Sequence, residues 1–159
     1  MVSIDEQERI AGNSEQAYYT IEQVATRTGL TKRTLRYYEE VGLLPRTDRT
    51  EGNYRRYTES DVQRLERIKE LRDLLGFSLS DIRELLRAEE ERGQIRMAYQ
   101  HEADAAVKVA QLDRADELIH EQLRLIEQRL VGLEQMRVAL LTRLQRHVQV
   151  RNELLNKEQ

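Results

Sequence analysis

The sequence predicts a mainly α-helical chain: a small helix-turn-helix head followed by one long C-terminal helix. Two observations carry that expectation. The stretch Tyr18 to Tyr57 holds two short helix signals joined by a glycine-centred turn. From Leu112 onward, aliphatic residues return every seventh position. Composition agrees, because 39% hydrophobic and 35% charged residues, with one Pro and no Trp, favour exposed helix over a large core.

In the head, Thr20 suits the N-cap of a first helix, with Gln23 placed three residues on to reach back and close a capping box. Gly29 suits the left-handed residue that ends it, since it has no Cβ to clash. Thr31 then caps a second helix that runs to about Val41, where Gly42 stops it. This second helix divides by face. Leu35 and Tyr38 point one way, while Lys32 with Arg36, and Arg33 with Tyr37, point the other. A helix that reads DNA needs this division, with an apolar stripe for its own domain and an opposite stripe of cations and hydrogen-bonding groups.

The run Arg36-Tyr37-Tyr38-Glu39-Glu40-Val41-Gly42-Leu43-Leu44 resembles the RYYEExGLL signature of MerR-type transcriptional regulators. Asn53-Tyr54-Arg55-Arg56-Tyr57 resembles their wing, with GNY where many relatives carry NGY. The likeness continues through Gly76-Phe77-Ser78-Leu79-Ser80-Asp81-Ile82-Arg83-Glu84-Leu85-Leu86, so it covers Tyr18 to Arg87. It implies a winged helix-turn-helix head and a long antiparallel dimerisation coiled coil. It also implies a homodimer on double-stranded promoter DNA, remodelling an overlong spacer so that RNA polymerase holoenzyme engages both promoter elements. The expected DNA contacts are Thr31, Lys32, Arg33, Arg36 and Tyr37 on the second helix. Arg49, Asn53, Tyr54, Arg55 and Arg56 join them from the loop behind Pro45, where interleaved Arg and Tyr favour phosphate contact over an ordinary solvated loop.

Two scaffold helices should follow. Thr58 and Asp61 start one that buries Val62, Leu65, Ile68, Leu71 and Leu75 and ends at Gly76. Ser78 and Asp81 start another, burying Leu79, Ile82, Leu85 and Leu86. Glu89 to Arg92 is charged, Gly93 breaks the pattern, and Gln94 to Lys108 is helix-compatible but weakly amphipathic. The expected organisation is a disordered arm over 1–17, the head over 18–88, a linker with short helical segments over 89–110, and the coiled coil over 111–156.

The seam of that coiled coil is the series Leu112, Ile119, Ile126, Leu133, Leu140, His147 and Leu154, with Leu123, Leu130 and Leu144 four residues behind. Leu112, Ile119, Leu123, Ile126, Leu130, Leu133, Leu140 and Leu144 are the expected dimerisation residues. No comparable second segment exists to cover them, so a second copy of the chain must. Heptads alone leave the orientation open. About 45 helical residues would span roughly 65–70 Å, and two-fold symmetry would match a pseudo-palindromic operator.

Charge and chemistry narrow the function further. The net charge is −3, yet residues 18–57 carry eight Lys or Arg against five Asp or Glu. A modest basic patch on an acidic chain suits specific binding rather than indiscriminate coating of DNA. The absence of Cys removes disulfides, thiolate metal sites and thiol redox sensing. His101, Glu102 and Asp104 sit at offsets that do not converge on one helix face, so no metal or other cofactor is expected. Without a phosphate-cradling loop, HExxH or Ser/His/Asp constellation, the chain does not read as an enzyme. No apolar run is long enough to span a membrane, and a cytoplasmic location is expected. The chain stops soon after the heptads, so no separate effector domain is expected. An effector pocket would have to come from residues 95–109 and a partner helix, where Met97, Tyr99 and His101 read better as packing or surface residues. The rival reading is an architectural or adaptor DNA-binding protein whose coiled coil recruits another protein.

Overall fold

The computed structural model describes residues 17–46 and 50–157. Among the described residues five α-helices follow in order: α1 (Ile21–Thr28), α2 (Lys32–Glu40), α3 (Glu59–Lys69), α4 (Leu79–His101) and α5 (Ala105–Lys157). The chain divides into two units, Met1–Arg83 and Glu84–Gln159. No described helix is long and apolar enough to cross a membrane.

The first unit is set by its caps. The Thr20 hydroxyl accepts from Gln23 N and the Gln23 side chain accepts from Thr20 N, so two otherwise orphaned donors are satisfied together. Gly29 closes α1 at φ 69, and Thr31 at once caps α2 by accepting from Thr34 N at 3.1 Å. Thr58 and Asp61 form the same reciprocal box on α3. These starts leave Val24, Leu35, Tyr38, Leu43, Leu44, Tyr57, Val62, Leu65 and Ile68 with almost no exposed surface, and they form the core. Lys69 donates to the Thr28 carbonyl and Arg83 to the Val41 carbonyl, so the C-terminal ends of α1 and α2 are both tied to later segments.

Past Lys69 the helix widens into a π-helical turn, Glu70–Leu74, with Leu75 N–H bonded to the Glu70 carbonyl at 3.2 Å. This corrects the expected stripe. Leu71 stays buried, but the wider winding carries Leu75 off the buried face, and it is 45% exposed. Phe77, whose N–H reaches back to Leu71 O, is buried instead. Leu79, expected to be buried, is half-buried at the start of α4.

The second unit is an antiparallel hairpin of the later part of α4 and the first part of α5. Arg87 pairs with Glu121 and Arg114 with Glu91, while the Arg92 guanidinium donates to Gln122 Oε1 at 2.8 Å. Near the turn, Lys108 lies over the Tyr99 ring at 5.0 Å. Gly93 does not break α4, which continues to His101. One glycine costs a helix interior about 1 kcal/mol, less than the neighbouring contacts with α5 can offset. The turn is capped by its own carboxylates: Asp104 Oδ1 accepts from Ala106 N and Val107 N, and Glu102 Oε1 from Ala103 N and Asp104 N. Leu118 is fully buried, whereas every described residue of α5 from 126 onward is exposed.

Candidate nucleic-acid interface

Helix α2 presents its polar side because its apolar side is fixed at several points. Leu35 and Tyr38 are buried, and both Leu43 N and Leu44 N donate to the Tyr38 carbonyl at 2.9 and 3.1 Å. Arg72 donates to the Tyr38 hydroxyl, and Arg64 to the Leu43 carbonyl at 2.6 Å. Burial raises the Tyr38 phenol above its ordinary range, with the nearby Arg72 charge opposing. On the other side Lys32, Arg33, Arg36 and Tyr37 are all exposed. Lys32 pairs with Glu22 across the turn at 2.5 Å, a solvent-facing contact worth little. Arg33 and Arg36 make no ion pair among the described residues. Thr31 lies at the helix start, its hydroxyl shared with Thr34 at 2.8 Å.

The loop after α2 returns through a tight turn. Asn53 N donates to Thr50 O at 2.8 Å and Thr50 N to Tyr54 O at 2.9 Å, with Asn53 in the left-handed region at φ 63. Asn is among the few side chains that tolerate this conformation. Tyr54 at the tip is 76% exposed. Arg56 stacks over the Tyr18 ring at 5.3 Å. The wing that results has no strand among the described residues. An antiparallel bridge between Tyr19 and Tyr57 ties its base, and Arg55 also holds an isolated bridge position. Arg49 and the N-terminal residues 1–16 lie outside the described residues.

Arg55 differs from its neighbours. Its Nε donates to Glu39 Oε2 at 2.8 Å, and the Tyr57 hydroxyl donates to Glu39 Oε1 at 2.6 Å. Only 10% of the Glu39 side chain is exposed. The Glu39 hydrogen bond holds the Arg55 guanidinium above its ordinary range, while burial, then Glu39, pushes the Tyr57 phenol well up. Sequence reasoning missed Glu39 and Tyr57. The signal that could have found Glu39 is its place next to Tyr38, at the edge of the buried stripe.

On α5, none of the eight expected dimerisation residues is buried; Ile119 is half-covered and the other seven are exposed. Leu112 and Ile119 line a groove of about 410 Å³ facing Arg92, Ile95 and Tyr99 of α4. The row that α5 packs within its own chain is a different one: Gln111, Ala115, Leu118 and Gln122, spaced four, three and four apart. That row escaped notice because two of its four members are glutamines.

An exposed cationic helix beside an Arg/Tyr-rich loop, both on a buried helical scaffold, defines a helix-turn-helix DNA-binding regulator. Residues 19–89 match the family model described as MerR HTH family regulatory protein. The chain is 36% identical over 110 residues to the HTH-type transcriptional regulator YfmP of Bacillus subtilis, covering 69% of this chain and 79% of that one. It is 36% identical over 122 residues to the HTH-type transcriptional regulator ZntR of Escherichia coli, covering 77% and 75%. A solved MerR-family regulator from Bacillus cereus aligns over 76% of this chain and 80% of its own at 29% identity, with a TM-score of 0.40. The chain belongs to the MerR family of DNA-binding transcriptional regulators. It is a regulator, not an enzyme.

Proposed function

We propose that the protein acts as a homodimer which binds a pseudo-palindromic promoter in the cytoplasm and deforms an overlong spacer, so that RNA polymerase engages both promoter elements. The carrying observation is the exposed apolar surface of α5. Leu130, Leu133, Leu140, Leu144 and Leu154 are all about half exposed in a single chain. Immersing such a row in water is costly at about 25 cal/mol per Å² of apolar surface, and a second copy relieves it. Charge favours the antiparallel orientation. Residues 113–134 hold six carboxylates and three Arg, whereas 135–152 hold four Arg and no carboxylate. Antiparallel copies set these unlike halves against each other, and parallel copies would stack the Arg-rich halves.

With 53 residues, α5 spans about 80 Å, enough to hold two heads well apart. Arg33, Arg36 and Tyr37 on α2, with Tyr54 and Arg56 in the wing, are the strongest DNA contacts. Thr31, Lys32 and Asn53 lie at the edges of the same surface. Phosphate contacts from both heads would stabilise a bent or untwisted duplex that costs a few kcal/mol to make.

The test uses the full chain and a duplex selected from a random-sequence pool by the wild-type protein. Sedimentation should show a dimer at micromolar concentration, and footprinting one short palindrome. Arg36→Ala should weaken binding and lower the salt slope by about one. A lone subunit, or an Arg36→Ala variant with unchanged affinity and slope, overturns the reading. Protection spreading along many sequences would instead mark an architectural protein.

A further inference from the structure

We infer that Arg55 is a strut rather than a phosphate contact: with Glu39 and Tyr57 it clamps the base of the wing to helix α2. The inference rests on the DNA-binding surface proposed above and names which of its cations is already committed. Among the described wing arginines Arg55 is the one with a carboxylate partner, and only 10% of that partner's side chain is exposed. Glu39 accepts from both sides at once, from Arg55 Nε at Oε2 and from the Tyr57 hydroxyl at Oε1. Both of its oxygens therefore have a donor, and among the described residues Arg55 is its cationic partner.

Drawing Arg55 toward a phosphate would leave a buried carboxylate without its counter-charge. That loss is larger than the gain from one solvent-exposed phosphate contact. Tyr57 is itself joined to Tyr19 through the backbone, so the clamp ties three segments together: the chain entering α1, the wing, and the last turn of α2. Arg56, one residue on, points to the surface and stacks on Tyr18. The wing thus alternates a structural arginine with an exposed one, as neighbouring residues in extended backbone do. Arg55 is a positioning residue, acting on DNA through the wing that it orients.

Salt dependence separates a strut from a contact. The double variant Glu39→Gln with Arg55→Gln keeps the pair neutral overall, as in wild type. For a strut it retains the wild-type salt slope and binds the selected duplex within about threefold of wild type. Arg55→Gln alone, which strands the Glu39 charge, should bind about tenfold more weakly, and adding Glu39→Gln should recover most of that loss. Arg55→Lys reads the same question without removing charge. Lysine can still meet a phosphate but lacks the planar Nε geometry, so a strut predicts weaker binding at unchanged slope. A double variant that loses about one unit of slope and binds no better than Arg55→Gln overturns the inference. So does an Arg55→Lys variant with wild-type affinity. Arg36→Ala run in parallel tells the two readings apart. If it too leaves binding unchanged, the proposed surface fails and the strut fails with it; if it lowers the slope as expected, the outcome belongs to Arg55.

Discussion

Tyr19 and Tyr57 exchange both backbone hydrogen bonds, Tyr19 N to Tyr57 O at 2.7 Å and Tyr57 N to Tyr19 O at 2.9 Å. This bridge brings the Tyr57 side chain under α2, where its hydroxyl donates to Glu39. Tyr57→Phe keeps the ring and removes only that donor. A hydrogen bond to a charged group contributes about 1.5–3 kcal/mol, so the variant should lose stability in that range, read from the denaturant midpoint at neutral pH. The same group sets an alkaline limit. Burial and the adjacent carboxylate raise the folded Tyr57 pKa above the ordinary 10.0. Its stabilisation is therefore complete below pH 10 and is lost as pH climbs from there through the raised folded value. Wild type should lose stability above pH 10 more steeply than Tyr57→Phe; equal slopes would remove Tyr57 as the cause.

Two glycines should respond to alanine with opposite sign. Gly42 sits at φ 72, with nothing within 4 Å of the position that a Cβ would take. Space is not the obstacle there; the left-handed backbone is, at about 1–2 kcal/mol for an L-residue. Gly42→Ala should destabilise by about that amount. Gly93 also has open space around its Cβ position but lies inside α4. Gly93→Ala should stabilise by about 0.5–1 kcal/mol, because it narrows the unfolded ensemble and suits the helix. Thermal unfolding of both variants checks the pair, and a shift in the same direction for both would contradict it.

An acid-side limit comes from Glu59. Arg27 donates to both of its oxygens at 2.6 and 2.5 Å, and the Tyr19 hydroxyl adds a third bond at 2.9 Å. The Arg27 hydrogen bonds first, then Tyr19, hold the Glu59 carboxyl below its ordinary 4.5. A lowered folded value means stability present above pH 4.5 and lost as pH falls from there through the folded pKa. Glu59→Gln should be the less stable protein at neutral pH, and the gap should close on acidification. A gap that stays constant between pH 7 and pH 3 would rule the pair out as a pH-dependent contributor.

What the sequence made legible was local. Thr20 with Gln23, Thr58 with Asp61, and Ser78 with Asp81 are each three residues apart, and Gly29 and Gly42 act through their own φ. The exposed face of α2 was equally readable, since a helix of nine residues has one periodicity to obey. The Glu39 clamp was not, because Arg55 and Tyr57 lie 16 and 18 residues away and meet it only once the wing has folded back. The π-helical turn at Glu70 was hidden for a related reason. Regular spacing predicted Leu75 inside, and only packing shows where the winding changes. Gly93 was read as a break by propensity alone, which helix-to-helix contact overrides.

Two leucines on α5 should separate folding from association. Leu118 is fully buried within the α4–α5 hairpin, while Leu140 is 54% exposed on the heptad row. Leu118→Ala removes buried methyl groups and leaves a cavity, at about 2–5 kcal/mol, and it should lower the unfolding midpoint at every protein concentration. Leu140→Asp changes a side chain that is more than half exposed in the single chain. It should instead raise the concentration at which the proposed dimer forms, because a carboxylate placed in an apolar seam is stranded without water or counter-charge. Sedimentation across a concentration series distinguishes the two: Leu140→Asp shifts toward the single subunit and Leu118→Ala does not, once both are compared well below their unfolding temperatures. Leu140→Asp also makes DNA binding steeper in protein concentration, since two heads must then meet on the duplex rather than arrive together. A Leu140→Asp protein that sediments and binds as wild type does would show that the heptad row is not the surface where two copies meet.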